Sequence, residues 1–226
     1  PADVLEQCRS RGIVTIGVAT TADEAVANEN AGVDIVVATG GEAGGHRPSF
    51  LRPAEQSVTG TFSLVPQVVD AVRMPVIAAG GIADGRGVAA ALALGAEGVQ
   101  LGTAFLACEE SNALPAHKEA LFGPRAKDTI LTRAFTGRLA RALRNRLAEA
   151  VEQSTAPILP YPLQSQLVIA LREEALRRGR TDLVTMWSGQ SASILRHRRA
   201  AELFQDLVQT TDRILPDQSA KSDVVM

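Results

Sequence analysis

A chain of 226 residues with a 46% hydrophobic share can build one large domain, or one domain with an appendage, around a sizeable core. A net charge of −2 argues against a nucleic-acid or anionic-membrane surface, and 4% aromatic residues argue against a stacking platform. No apolar run reaches the roughly 18 residues of a membrane span, and the opening PADVLEQCRSRG lacks the basic-then-apolar pattern of a signal peptide.

Residues 1–11 read as the end of a helix with Val4, Leu5 and Cys8 on one face, closed by Gly12. IVTIGV (13–18) is a β-branched run, hence a first buried strand. Thr20 and Thr21 can cap a helix that ends at Gly32. DIVVA (34–38) is a second strand, apolar at adjacent positions as a parallel strand covered on both faces should be. A long loop over about 40–60 leads into a helix over 63–72. MPVIAA (74–79) is the third strand, Asp84 caps an alanine-rich helix ending at Gly95, and GVQL (98–101) is the fourth strand. This β-α alternation predicts an α/β fold with a parallel sheet and crossover helices.

Beyond Thr103 the pattern changes. Segments 104–108 and 116–121 read as helical and DTILTRA (128–134) as extended. Gly137 opens a basic run to Gln153 with Leu139, Leu143 and Leu147 at helical spacing, which predicts an amphipathic helix packed on the body. After the proline-rich APILPYP come helices over 164–178 and 198–214, joined through DLVTMWSGQSA. LPDQSAKSDVVM reads as a disordered tail. The expected organisation is a β-α unit over 1–109, a mainly helical segment over 110–215, and a tail over 216–226.

Three strand ends carry glycine: TGGEAGGHRP (39–48), AAGGIADG (78–85) and QLGT (100–103). The pair Gly80–Gly81 follows a buried strand and precedes a helix start, where backbone amides can meet an anion. Gly102 and the Thr103 hydroxyl repeat the arrangement on the next strand. Two consecutive loops of this kind fit a phosphate site. In EAGGH, Gly44 and Gly45 let the backbone pass against something flat or bulky, and His46 projects from a strand-end loop where a proton acceptor is useful. Glu42 can orient the loop through hydrogen bonds to backbone amides. His117 and His197 sit in polar helical context and read as surface residues. Cys8 and Cys108 lie far apart, which reads as two reduced thiols in a cytosolic protein. No metal site is expected, because His46 has no second ligand at metal-binding spacing and the cysteines show none.

GEAGGHRP, VPQVVDAV, MPVIAAGGIADGRGVAAALALGAEGVQLGTAFLACEES, DTILTRAFTGRLARALRN, PYPLQ and WSGQSA resemble the nitronate monooxygenase family, over nearly the whole chain to about residue 197. The resemblance implies an FMN-dependent (β/α)8 TIM barrel, of which this chain carries strands five to eight and a helical C-terminal segment. It implies FMN held by Gly44, Gly45, Gly80, Gly81, Gln100, Leu101, Gly102 and Thr103, with His46 as the catalytic base beside the flavin ring. The implied reaction is oxidation of alkyl nitronates, or nitroalkanes, by molecular oxygen. Two positions depart from the family: Thr39 stands where glutamine is common, so no cofactor role is carried onto it, and Pro48 stands where glycine is common. A half barrel would leave two strand edges unpaired, so the expectation is a fragment, a partner-completed chain, self-association or marginal stability. Two other readings compete: a flavin-dependent enoyl-acyl-carrier-protein reductase, and a truncated flavin- or phosphate-binding remnant without catalysis. A doubly wound NAD domain is disfavoured because no G-x-G-x-x-G follows the first strand.

Overall fold

The fold is taken from a computed structural model that describes residues 2–215; the tail expected over 216–226 lies outside them. Four short strands, β1 (Ile16–Ala19), β2 (Ile35–Thr39), β3 (Gly45–His46) and β4 (Val76–Ala79), alternate with helices α1 (Ala2–Ser10), α2 (Ala22–Ala31) and α3 (Thr61–Ala71). Helix α4 (Gly85–Ala93), strand β5 (Gly98–Gln100) and the short helix α5 (Thr103–Leu106) complete this half. Strands β1, β2, β4 and β5 form one parallel sheet in that spatial order. Each β-α unit anticipated from the sequence is present; the first three strands start one to three residues later than expected, and the fourth starts at Gly98 as expected and ends one residue early.

The register sets the site. Ala19 pairs with Ala38, Ala38 with Ala78, and Ala79 with Gln100, so the carboxyl ends of the strands lie level and their following loops share one end of the sheet. Small residues at these ends and Val36, Leu64, Val65 and Val68 behind them make the main core. Thr21 caps α2 by accepting from the Glu24 amide, and Gly32 closes it in the left-handed conformation.

β1 is an edge among the described residues. The expectation of a buried first strand is corrected here: Ile16 is 61% exposed and Val14, just before it, 65%, because no neighbour covers this edge among the described residues. Parallel strands are normally covered on both faces, so this apolar edge is unusual for a finished sheet.

The second half holds α6 (Pro115–Phe122), β6 (Thr129–Thr132), β7 (Ala140–Leu143), α7 (Arg146–Gln153), α8 (Leu163–Arg177) and α9 (Ala200–Ile214). Here the expected helix over 137–153 is corrected: its first part is strand β7. Ala140, Arg141, Ala142 and Leu143 are all buried, because β7 is the middle strand of an antiparallel sheet ordered β3-β7-β6. A surface helix cannot bury four successive residues, but a central strand does so naturally. The leucine spacing mimics a helix only because Leu139 and Leu143 fall in the strand region and Leu147 in the next element. Asn145 restarts the helix by accepting from the Ala148 amide.

Candidate functional site

The loop after β2 is long, and buried arginines give it shape. Arg47 is fully buried. Its guanidinium donates to the carbonyls of Gly40 (2.6 Å), Thr39 (2.8 Å) and Ser57 (2.9 Å). Arg141, reaching across from β7, donates twice to the Gly41 carbonyl at 2.8 and 3.0 Å. Arg138 donates to the carbonyls of Arg47 and Ser49. Burial pushes the pKa values of Arg47 and Arg141 down, yet a planar five-donor cation suits a loop of carbonyls that have no strand to pair with.

Carboxylates pin the same loop from the other side. Glu42 accepts from the Thr61 amide at 2.9 Å and from its hydroxyl at 3.0 Å, at the amino end of α3 where negative charge is favoured. The orienting role expected of Glu42 is therefore present. Glu24, fully buried, accepts from the Thr20 amide and hydroxyl and from the amides of Phe50 and Leu51. Burial alone would raise its pKa; these hydrogen bonds overcome that and lower it.

With the loop fixed, a cavity of about 390 Å³ opens at the sheet end. Gly80 and Gly81 lie on one wall with consecutive φ values of +96° and +74°. Two successive residues at positive φ make a tight turn that glycine adopts without a Cβ penalty, so the backbone itself faces the cavity. Among the described residues the amides of Gly81, Gly102 and Thr103 donate to no protein acceptor. The start of α4 is different: Asp84 accepts from the amides of Arg86 and Gly87, so its own carboxylate fills the anion position there.

His46 lines the same cavity. Strand β3 seats it by pairing Gly45 with Arg141 and His46 with Ala140. Its Nε2 lies 2.8 Å from the Thr136 hydroxyl, and its ring packs on Trp187 (5.3 Å between centroids) and edge-on to Tyr161 (5.7 Å). The imidazole thus lines the cavity together with Trp187 while Thr136 and Tyr161 flank it. Desolvation first, and the positive charge of Arg138 second, lower its pKa and favour the neutral, proton-accepting form.

Gly44, Gly45, His46, Gly80, Gly81, Gln100, Gly102 and Thr103 all line this cavity. The Leu101 side chain packs into the core instead. The Thr103 hydroxyl oxygen accepts from the Gly189 amide at 2.9 Å, so it also fastens the WSGQ segment. A Cβ on Gly44 would sit 2.7 Å from the Gly189 nitrogen, so the close approach that glycine permits there is to the protein's own backbone. Trp187, Gly189 and Ser191 line the cavity too, and Thr136 and Tyr161 support His46. All five fall in the family-resembling segments WSGQSA, PYPLQ and DTILTRAFTGRLARALRN, but the sequence alone assigns none of them a place in the site. His117, expected at the surface, is buried, with Nε2 2.8 Å from the Trp187 carbonyl. Its polar helix looked solvated, but that helix packs behind the tryptophan segment. The two cysteines are free, as expected. No cluster of potential metal ligands occurs among the described residues, and no helix among them is long and apolar enough to cross a membrane.

The family model for nitronate monooxygenase matches residues 1–210. The chain belongs to the nitronate monooxygenase family. A Staphylococcus aureus relative described as "Probable nitronate monooxygenase" is 46% identical over 213 residues, covering 94% of this chain and 60% of the relative. Among solved structures, a nitroalkane oxidase from Streptomyces ansochromogenes aligns with a TM-score of 0.88 at 41% identity, over 95% of this chain and 62% of that one. FabK from Thermotoga maritima aligns with a TM-score of 0.79 at 33% identity, over 98% of this chain and 68% of that one. The chain thus spans about 60% of the length of the curated relatives it matches. Its parallel sheet is part of the (β/α)8 barrel of this family.

Proposed function

We infer that this chain carries the phosphate-binding and substrate-base part of an FMN-dependent nitronate monooxygenase. One observation carries the reading: the Gly80–Gly81 turn, the Gly102–Thr103 turn and His46 bound the same cavity. Free amides at a left-handed glycine pair fit a phosphate, and the open wall at His46 fits a small substrate beside a planar ring. Residues 1–109 would supply the phosphate side, with Gln100 and the Leu101 backbone along the ribityl chain. Residues 110–215 would supply Trp187, Tyr161 and Thr136 on the substrate side. Bound FMN would supply the redox chemistry, with molecular oxygen as the second substrate.

The chain's own residues do the rest. Neutral His46 takes the α-proton of a nitroalkane at its free ring nitrogen, while Thr136 holds the other nitrogen and fixes the ring's orientation. With an already anionic nitronate no proton need leave, and His46 only positions the substrate. Two free thiols and the family's small-molecule chemistry support a cytoplasmic setting.

The visible absorption spectrum of the purified chain, before and after adding FMN and removing the excess, tests this first. Flavin bands that stay with the protein are expected, followed by oxygen uptake with propionate 3-nitronate. A colourless protein after FMN loading would make the chain a remnant that keeps the loops without the cofactor. The loops EAGGH, AAGGIADG and QLGT do not by themselves separate this reading from an enoyl-acyl-carrier-protein reductase. Oxidation of a nicotinamide donor with an enoyl thioester would favour that alternative.

A further inference from the structure

A second cavity, of about 510 Å³, shares no lining residue with the one at His46. Three arginines reach it from three separate segments: Arg52 in the loop after β3, Arg133 just past β6 and Arg138 just before β7. No carboxylate lines it among the described residues. Two of the three cations are balanced from outside the lining, Arg52 by Asp23 and Arg133 by Glu55. Arg138 is the exception. It is half-buried and makes no ion pair among the described residues. It gives Nε and Nη2 to the carbonyls of Arg47 and Ser49, which are neutral acceptors, so its positive charge stays uncompensated. That charge is felt at His46, whose pKa it helps to lower. The hydroxyls of Ser49 and Tyr161, also on the lining, bond to no protein group among the described residues. The rest of the wall is apolar: Ile158, Leu159 and Pro160. Gly137, at φ +84°, lets their backbone come close, since a Cβ there would collide with the Leu159 carbonyl.

Guanidinium groups arriving from three segments suit a tetrahedral oxyanion better than a planar carboxylate, because three terminal oxygens can each take a charge-assisted hydrogen bond. An apolar strip ending in an aromatic ring suits a flat organic group attached to that anion. We propose that this cavity binds a small phosphate monoester, with its phosphate among Arg52, Arg133 and Arg138 and its organic part on the strip from Ile158 to Tyr161. The site does not depend on the flavin reading of the His46 cavity. Its ligand would rest against Tyr161, the ring that flanks His46, which gives it the position of an effector rather than of a reactant.

Isothermal titration calorimetry of the chain as it stands, with inorganic phosphate, phenyl phosphate and benzoate, tests this. Saturable heat is expected, with phenyl phosphate tighter than either of the others by roughly threefold or more. Arg52→Gln, at an exposed position held by a surface ion pair, should keep the fold and weaken phenyl phosphate by roughly twofold to fivefold. Arg138→Gln should weaken it about tenfold, and Arg138→Lys, which keeps the charge, should recover part of that loss. Gly81→Val alters the other cavity and should leave phenyl phosphate binding unchanged. No saturable heat, parent-like affinity in both Arg52→Gln and Arg138→Gln, or benzoate binding as tightly as phenyl phosphate would overturn the proposal. Binding lost in Gly81→Val would overturn it too, because the phosphate would then sit beside His46.

Discussion

At the scale of single residues, His46 has the features a base needs: a strand to hold it, Thr136 on one nitrogen, and surroundings that disfavour its charge. Replacing it with alanine should lower kcat/KM for neutral nitroalkanes by about 100-fold to 10,000-fold, the usual worth of a positioned base. The loss with preformed nitronates should be far smaller; equal losses with both substrates would remove the proton-transfer role. The lowered pKa has a sign. The neutral form persists below the ordinary histidine value near 6.5, so the acid limb of kcat/KM for nitroalkanes should lie below that pH. Under the proposed function, Gly81 is the corresponding residue on the phosphate side. Its φ of +74° costs an L side chain about 1–2 kcal/mol, so Gly81→Val should release flavin while the far-UV circular dichroism stays that of the parent. Flavin retained by that variant would place the phosphate elsewhere.

At the scale of elements, the loop between β2 and α3 depends on side chains from distant segments more than on its own sequence. Arg47→Lys leaves one point charge where a fork bridged three carbonyls, and should cost roughly 3 kcal/mol in denaturant unfolding. Glu24→Gln turns an amide donor toward donors it cannot bond, and should cost roughly 2–3 kcal/mol at neutral pH. Because folding lowers the Glu24 pKa, the contribution is present above the unfolded carboxylate's value near 4.3. It fades as pH falls through the lower folded value, so parent and variant should converge in acid. A difference that stayed constant down to pH 2 would deny the carboxylate this role. These clamps also mark what the sequence conceals. Glycine at strand ends, β-branched runs and a threonine cap are local signals, and the β-α half of the fold was legible from them, as were the glycine turns and His46. The strand at 140–143 was not, because its burial comes from two partner strands far away in sequence. Nor was Trp187 as part of the site, since its position depends on the Thr103–Gly189 contact and the buried His117.

At the scale of the whole molecule, an edge strand with Val14 and Ile16 more than half exposed sits beside a well-packed parallel core. Such an edge offers unpaired backbone groups and apolar side chains to any passing strand. The isolated chain should therefore associate with itself as its concentration rises, seen by sedimentation velocity. A Val14→Lys, Ile16→Lys pair should shift it toward monomer with unchanged secondary structure. A parent that stays monomeric at high concentration would show that the edge is harmless as it stands.

The meeting of Gly44 with Ser188 and Gly189 has a consequence for how the protein is made. The glycine turns of the parallel sheet precede β7 and the tryptophan segment in the chain and can take shape as soon as β2, β4 and β5 have emerged. The wall behind His46 cannot, because it waits for β7 and then for the tryptophan segment. A ribosome stalled before residue 180 would hold a nascent chain with the glycine turns in place and the Trp187 wall beside the histidine still missing. Cofactor capture and catalytic competence would then be separate events in the life of the polypeptide, the first available well before the second.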